Sequence, residues 1–193
     1  QTCALPISSP MTSGQPAPRP FASRLVLAAI ALWLGVLLVS GLTAAVAFPT
    51  MKPLSPHLPA YAATTDHWKI AAGAVANRVF TLAGWAQCAL AALAMFALAA
   101  HLSRAARGWL NTTRLLLTLA AALLQGYLSF LLVPRMNRTL SAFMDAARAA
   151  DQQADTLRKA FDADHPLASN LISALAVVLF LSLTFWVLPR SEE

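Results

Sequence analysis

The chain has 193 residues, of which 58% are hydrophobic and only 11% are charged, and its mean hydropathy is +0.61. This composition excludes an ordinary soluble domain and is typical of a protein that inserts into a membrane. The net charge is +6, but the basic residues lie around the ends of apolar stretches, where they set membrane orientation. We therefore expect no nucleic-acid partner.

The first ten residues are expected to be a sequencing-adapter artefact. Gln1–Ile7 matches the translation of a common adapter, so we take Met11 as the expected true start and exclude Cys3 from fold reasoning. Residues 11–24, which contain Ser, Gly, Gln and three prolines, are predicted to be a disordered leader. Cys88 is then the only cysteine, so no internal disulfide is possible.

Four apolar stretches are each long enough for the roughly 20 residues that cross a bilayer. We predict spans at about residues 25–48, 79–100, 115–133 and 167–188. Pro49 is expected to end the first helix. A cleaved signal peptide is the alternative for the first span, because Arg24 precedes it and Ala45–Ala47 resembles a cleavage site.

Basic residues at the span ends predict the orientation. His101, Arg104, Arg107 and Arg114 are expected to form a short loop before the third span. This loop, the N-terminal tail and the Arg190 end carry a denser set of Lys and Arg than the two longer loops. Both termini are therefore predicted to be cytoplasmic.

Residues 135–165 are predicted to form a charged helical hairpin outside the bilayer. Their apolar positions recur at steps of four and three, the spacing of one helix face. One unbroken helix would run about 40 Å away from the third span, yet the fourth span begins immediately afterwards. We expect a turn near Ala149–Gln152, with Asp151 as an N-cap. The arms would pack Leu140, Phe143 and Ala147 against Ala154, Leu157 and Phe161. The alternative is an amphipathic helix that lies on lipid headgroups.

Motifs for catalysis or metal binding are absent from the sequence. It has no CxxC or HExxH spacing, no glycine-rich phosphate loop and no GxSxG elbow. The spans also lack an acidic or basic residue near their middle, where ion-coupling sites usually lie. We expect no enzyme activity and no cofactor.

Four polar residues within the spans are the candidate functional positions: Gln87, Gln125, Tyr127 and Asn170. Packing is the favoured interpretation, because hydrogen bonds between membrane helices contribute about 0.6 kcal/mol on average. The alternative is a path for a small solute, with these residues facing one another inside an oligomer. A third hypothesis, a haem- or copper-binding domain, rests on the histidines near the span ends, which are His57, His67, His101 and His165.

Short motifs at corresponding places in the spans point to a family. They are Leu32-Trp33-Leu34-Gly35, Phe48-Pro49, Val133-Pro134-Arg135-Met136, Leu157-Arg158-Lys159-Ala160-Phe161, His165 and Ser169-Asn170. With these motifs the chain resembles the transmembrane protein 205-like family, a four-helix membrane domain of unknown function, over about residues 25–188. The resemblance implies architecture and supplies no catalytic residues. Its pattern positions are Pro49, Pro134, Arg135, Phe161 and His165.

We thus predict an all-α polytopic membrane protein with four transmembrane helices and an extramembrane helical hairpin between the third and fourth. The alanine-rich composition favours a bacterial inner membrane. The expected function is a non-enzymatic interaction or accessory module, and small-solute transport is the alternative. Its expected partners are the lipid bilayer and either a second copy or another membrane protein.

Overall fold

The computed structural model describes residues 21–61, 66–103 and 108–188, and these residues are almost entirely helical. The helices are α1 (Phe21–Leu54), α2 (His67–Leu102), α3 (Trp109–Tyr127), α4 (Val133–Arg148) and α5 (Ala154–Val187). A short 3-10 helix, Pro59–Tyr61, lies between α1 and α2, and a π-helical turn, Leu128–Leu132, joins α3 to α4. Four segments, namely α1, α2, α3 with α4, and α5, are long and apolar enough to cross a membrane. The all-α fold with four such helices is confirmed.

The helices form an up-and-down bundle in which α1 packs on α2 and α5, and α3 packs on α2 and α5. The core is centred on Trp33, Ile30, Leu98, Leu175 and Leu179, which are almost fully buried. The outer surface is also apolar. Leu32, Leu82, Leu123 and Phe180 are each more than 60% exposed. A helix that is hydrophobic all round suits a lipid environment.

Helix α1 is longer than predicted at both ends. It begins at Phe21, so residues 21–24 are helical rather than part of a leader, and residues 11–20 lie outside the described part of the chain. The expectation that Pro49 ends the helix is wrong, because α1 continues through Pro49 and Pro53 to Leu54. Each proline removes one backbone donor, but both are exposed and α2 packs along α1. Tertiary packing therefore outweighs the local signal.

The helix also continues through Pro134. In a regular helix its ring would clash with the carbonyl four residues earlier. The π turn immediately before it widens the helix, and the Val133 N–H donates to the Leu128 carbonyl five residues back. The predicted third span and the first hairpin arm therefore form one continuous segment, Trp109–Arg148.

The chain folds back between Arg148 and Ala154, where the sequence predicted a turn. Ala150 has a φ of 54°, and the Asp151 N–H donates to the Ala146 carbonyl at 2.9 Å, a bond typical of a Schellman C-cap. The Asp151 carboxylate accepts the Gln153 N–H at 2.9 Å. Asp151 therefore shapes the turn but does not occupy the N-cap of α5, which is Gln153. That the hairpin lies outside a bilayer stays a prediction.

The hairpin arms pack partly on each other and partly on the connection between α1 and α2. Phe143, Ala147 and Ala154 share one apolar cluster as predicted, but that cluster also contains Tyr61 and Ile70. Phe161 instead packs against the main core. The connection, through Tyr61, and the start of α2, through Ile70, thus cover the hairpin, a contact the sequence did not indicate.

Candidate functional site

Polar contacts set the register between the rod formed by α3 and α4 and the antiparallel α5. Arg114 contacts the Phe185 carbonyl, Thr118 contacts Ser182, and Arg135 contacts Asp164. Because the two segments are antiparallel, a constant register means that the two residue numbers of each pair have the same sum. That sum is about 300 in all three pairs, so the register is constant along the rod. Residues 115–134 carry no charged side chain. The rise from Arg114 to Arg135 is about 31 Å, close to the thickness of a hydrocarbon layer. We call the part of the bundle between these two levels the apolar slab.

At one end of the slab Arg114 lies inside the bundle, not in a loop as predicted. It is 4% exposed, and its Nε donates to the Phe185 carbonyl at 3.0 Å and its Nη2 to the Leu188 carbonyl at 3.1 Å. The guanidinium thus caps the C-terminus of α5, where free carbonyls and the helix dipole favour a cation.

Two aromatic rings complete this end. The Trp186 ring lies 5.0 Å from the Arg114 guanidinium and 5.1 Å from the His101 ring, which meets it edge-on. Trp186 is 3% exposed, and its indole N–H finds no acceptor among the described residues. The cluster joins α2, α3 and α5. We call it the arginine end of the bundle.

A chain of hydrogen bonds crosses the interior near the middle of the slab. The Trp33 indole N–H donates to Gln125 Oε1 at 3.4 Å, and Gln125 Nε2 donates to Ser129 Oγ at 2.8 Å. Both halves of the Gln125 amide are therefore used in packing. Gln87 is 6% exposed, and its amide makes no hydrogen bond with another described residue.

Closer to the arginine end, Thr118 and Ser182 are fully buried. The Thr118 hydroxyl donates to the Arg114 carbonyl at 2.8 Å, so Ser182 is the donor in their 3.3 Å contact. These interior hydroxyls are both satisfied by the bundle itself.

The other two candidate residues point out of the bundle. Tyr127 is 41% exposed and Asn170 is exposed as well, and neither side chain hydrogen-bonds to another described residue. Two of the four predicted positions are thus inside and two are outside. The structure does not bring them together into one path within a single chain.

The opposite end of the slab leads into the hairpin. At this end, ion pairs on the surface join neighbouring helices. Arg135 makes two bonds to the Asp164 carboxylate, one of them from Nε at 2.9 Å. Asp66 pairs with Lys69 at 2.8 Å and with Arg158 at 3.1 Å, which ties the start of α2 to α5. The hydrogen bond from Lys69 is the main reason that the pKa of the Asp66 carboxyl lies below its ordinary value. We call this the aspartate end.

The boundary histidines lie in three separate places. His67 accepts the Leu58 N–H on Nδ1 at 3.1 Å, so its proton is on Nε2, which donates to the Tyr61 carbonyl at 2.9 Å. The His57 ring is 5.3 Å away, beside a small cavity of about 150 Å³. His165 is exposed and lies 5.2 Å from the Phe161 ring, and His101 is at the arginine end. In the described residues no group of three or more His, Cys, Asp or Glu could hold a metal ion.

The larger cavity is an open groove of about 330 Å³ on the outer surface between α1 and α2, lined only by apolar atoms. Gly35 and Ala83 lie on its two sides. Of the family-pattern positions, Pro134, Arg135, Phe161 and His165 lie near the aspartate end, and Pro49 is exposed within α1.

Comparisons of the chain with models of known families, with curated proteins and with solved structures found no match. Functional assignment therefore rests on the geometry of this chain.

Proposed function

We propose that the chain is a non-enzymatic interaction or accessory module in a bacterial plasma membrane. The observation that carries the proposal is the division of polar groups within the apolar slab. Interior groups such as Gln125 and Thr118 are used by the bundle, whereas Tyr127 and Asn170 face outward. A polar group in lipid is costly unless another group satisfies it. A second membrane protein supplies such a group.

Two arginine levels support a placement in the membrane. In this proposal Arg114 and Arg135 lie at the two faces of the hydrocarbon layer, and the hairpin is then outside it. The short segments at the arginine end, which are the N-terminal tail, the loop with Arg104 and Arg107, and the Arg190 end, carry Lys and Arg more densely than the two longer connections. By the positive-inside rule, this density supports a cytoplasmic location for the arginine end and both termini. Membership of the transmembrane protein 205-like family is part of this proposal and rests on the sequence motifs.

Photocrosslinking in native membranes tests the proposal. A photoreactive amino acid replaces one outward residue per helix, at Val46, Phe96, Leu123 or Val177, which are all more than half exposed. We expect a discrete protein adduct from at least one face. Leu98, which is 1% exposed, is the buried control and should give none. Lipid adducts alone from all four faces would contradict an interaction module.

Small-solute transport is the second candidate, and Gln87 is the observation that favours it. The residue is 6% exposed within the slab, and its amide has no hydrogen-bond partner among the described residues. In the transport hypothesis Gln87 and Gln125 contact the solute. Solute flux into proteoliposomes should then fall in Gln87→Leu and in Gln125→Leu. Flux equal to that of the unmodified chain in both variants removes this candidate.

A further inference from the structure

The outward face of α5 differs from the outward faces of the other helices in the apolar slab. On α1, α2 and the rod of α3 and α4 the exposed residues are mostly large and apolar, among them Val39, Leu82, Phe96, Leu123 and Phe130, and they include the phenol Tyr127. On α5 an amide and a hydroxyl, Asn170 and Ser173, are exposed beside apolar residues such as Val177 and Phe180. Neither side chain hydrogen-bonds to another described residue, whereas Thr43 and Thr184 each donate to the carbonyl four residues back at 2.9 Å. The α5 face thus presents unused polar groups.

The depth of these groups decides what surrounds them. Asn170 lies six residues beyond Asp164 along α5, which puts it about 9 Å inside the slab from the Arg135–Asp164 pair. Ser173 lies about 4.5 Å deeper, near the middle. An amide offers two donors and an acceptor, and hydrocarbon chains offer no partner for any of them. A second protein helix at this depth would supply the hydrogen-bond partner that hydrocarbon lacks.

The spacing on this face suits a helix partner. Asn170, Ser173, Val177, Phe180 and Thr184 follow one another at alternating steps of three and four, and all are exposed. This is the spacing of the seam of a parallel coiled coil, in which a single polar Asn sets register and oligomeric state. Ser173 and the neighbouring Ala174 are small, which allows close approach of two membrane helices.

We propose that this face binds a second copy of the chain, α5 against α5, with the two Asn170 amides paired across a two-fold axis. The inference rests on the proposed function and names its partner. Two copies inserted with the same orientation have parallel α5 helices, so identical residues meet at the same depth. An amide is self-complementary, as a two-fold interface requires. Any other partner would need its own polar group at this depth.

Self-association is measured by energy transfer between donor- and acceptor-labelled full-length chains in lipid vesicles, over a series of protein-to-lipid ratios. Asn170→Leu should weaken dimerisation about 3- to 30-fold, the range expected for a hydrogen bond between membrane helices. Thr43→Val is the matched control, because this hydroxyl is already bonded within α1, and it should change nothing. Equal self-association of Asn170→Leu and the unmodified chain would overturn the proposal.

A second measurement does not depend on removing the amide. In a background with Cys3→Ala and Cys88→Ala, Ser173→Cys should form a disulfide-linked dimer in vesicles, because two-fold contact brings these Cα atoms within the roughly 4.4–6.8 Å that a disulfide needs. Leu42→Cys, exposed on α1, should form none. A dimer through Leu42→Cys and not through Ser173→Cys would place the interface elsewhere and overturn the proposal.

The two proposals fail in different ways. A chain that is monomeric in vesicles but gives a protein adduct from Val177 in native membranes remains an interaction module and binds a different protein. A monomeric chain that gives only lipid adducts from every face contradicts both.

Discussion

The two ends of the bundle hold their arginines in opposite ways. Arg114 is 4% exposed and is bound by the carbonyls at the C-terminus of α5. The Arg135 side chain is 54% exposed and is bound by the Asp164 carboxylate. A helix end can satisfy a buried cation without any acidic residue, whereas an exposed arginine gains little from an acidic partner because water screens the pair. In the sequence both residues are arginines at the end of an apolar stretch, yet we expect them to contribute differently to the stability of the fold.

The largest expected effect is at the arginine end. Arg114→Leu leaves the carbonyls of Phe185 and Leu188 without their donor inside an apolar site. We expect the free energy of unfolding to fall by about 2–4 kcal/mol, because hydrogen bonds to charged groups are strong and an unmet buried acceptor costs more. Unfolding of the purified protein by SDS in mixed micelles, followed by circular dichroism, measures this change.

The controls for this prediction separate charge from geometry. Arg114→Lys keeps the charge but loses the planar fork, so it should recover only part of the loss. Arg138→Leu removes an exposed arginine whose Nε contacts the Pro134 carbonyl at 3.3 Å, and it should change the free energy by less than about 0.5 kcal/mol. An Arg114→Leu protein as stable as Arg138→Leu would refute the contrast between the two ends.

The hairpin turn carries the next largest effect, and here the change is stabilising. Ala150 has a φ of 54°, in the left-handed region that disfavours a side chain. Ala150→Gly should raise the free energy of unfolding by about 1 kcal/mol, because glycine has no Cβ penalty at this helix C-cap. The neighbouring Ala149 has a φ of −77°, so Ala149→Gly should be neutral or destabilising. The same SDS titration distinguishes them, and equal shifts in both variants would contradict this account of the turn.

The ion pair at the aspartate end should contribute less. A double-mutant cycle with Arg135→Gln and Asp164→Asn isolates the coupling between the two side chains. We expect about 0.5–1 kcal/mol, the upper range for an exposed pair, because the contact is bidentate. A coupling comparable to the effect of Arg114→Leu would mean that the aspartate end is buried in the assembled protein.

Much of the fold could be predicted because its signals are local. The four apolar stretches follow from composition, and the turn near Ala149–Gln152 follows from the need to re-enter the slab. The helix end at Pro49 was misjudged, since a proline signal is local whereas the packing of α2 along α1 acts over longer distances.

The candidate site was harder to predict than the fold. Gln125 and Asn170 look alike in sequence, as amides within apolar stretches, but one is buried by Trp33 and Ser129 and the other is exposed on α5. Which way each faces depends on helix rotation in the bundle. Arg114 was assigned to a loop because it follows Arg104 and Arg107 between two apolar stretches. Its carbonyl partners are 71 and 74 residues away, and no sequence motif marks such a contact.

The smallest predicted effect is the pH dependence of Asp66 at the aspartate end. Its pKa is lowered below the ordinary 3.8, chiefly by the hydrogen bond from Lys69, so folding favours the charged carboxylate. A lowered pKa in the folded state means that the contribution is complete above pH 3.8 and is lost as the pH falls through the folded value. The side chain is 30% exposed, so we expect at most about 1 kcal/mol.

SDS unfolding between pH 6 and pH 2.5 should show a shallower loss of stability in Asp66→Asn than in Asp145→Asn, whose carboxylate is 73% exposed. Parallel pH profiles for the two variants would show that the ion pair between Asp66 and Arg158 adds nothing to stability. The apolar contacts of Tyr61 and Ile70 with the hairpin would then be what holds the aspartate end together.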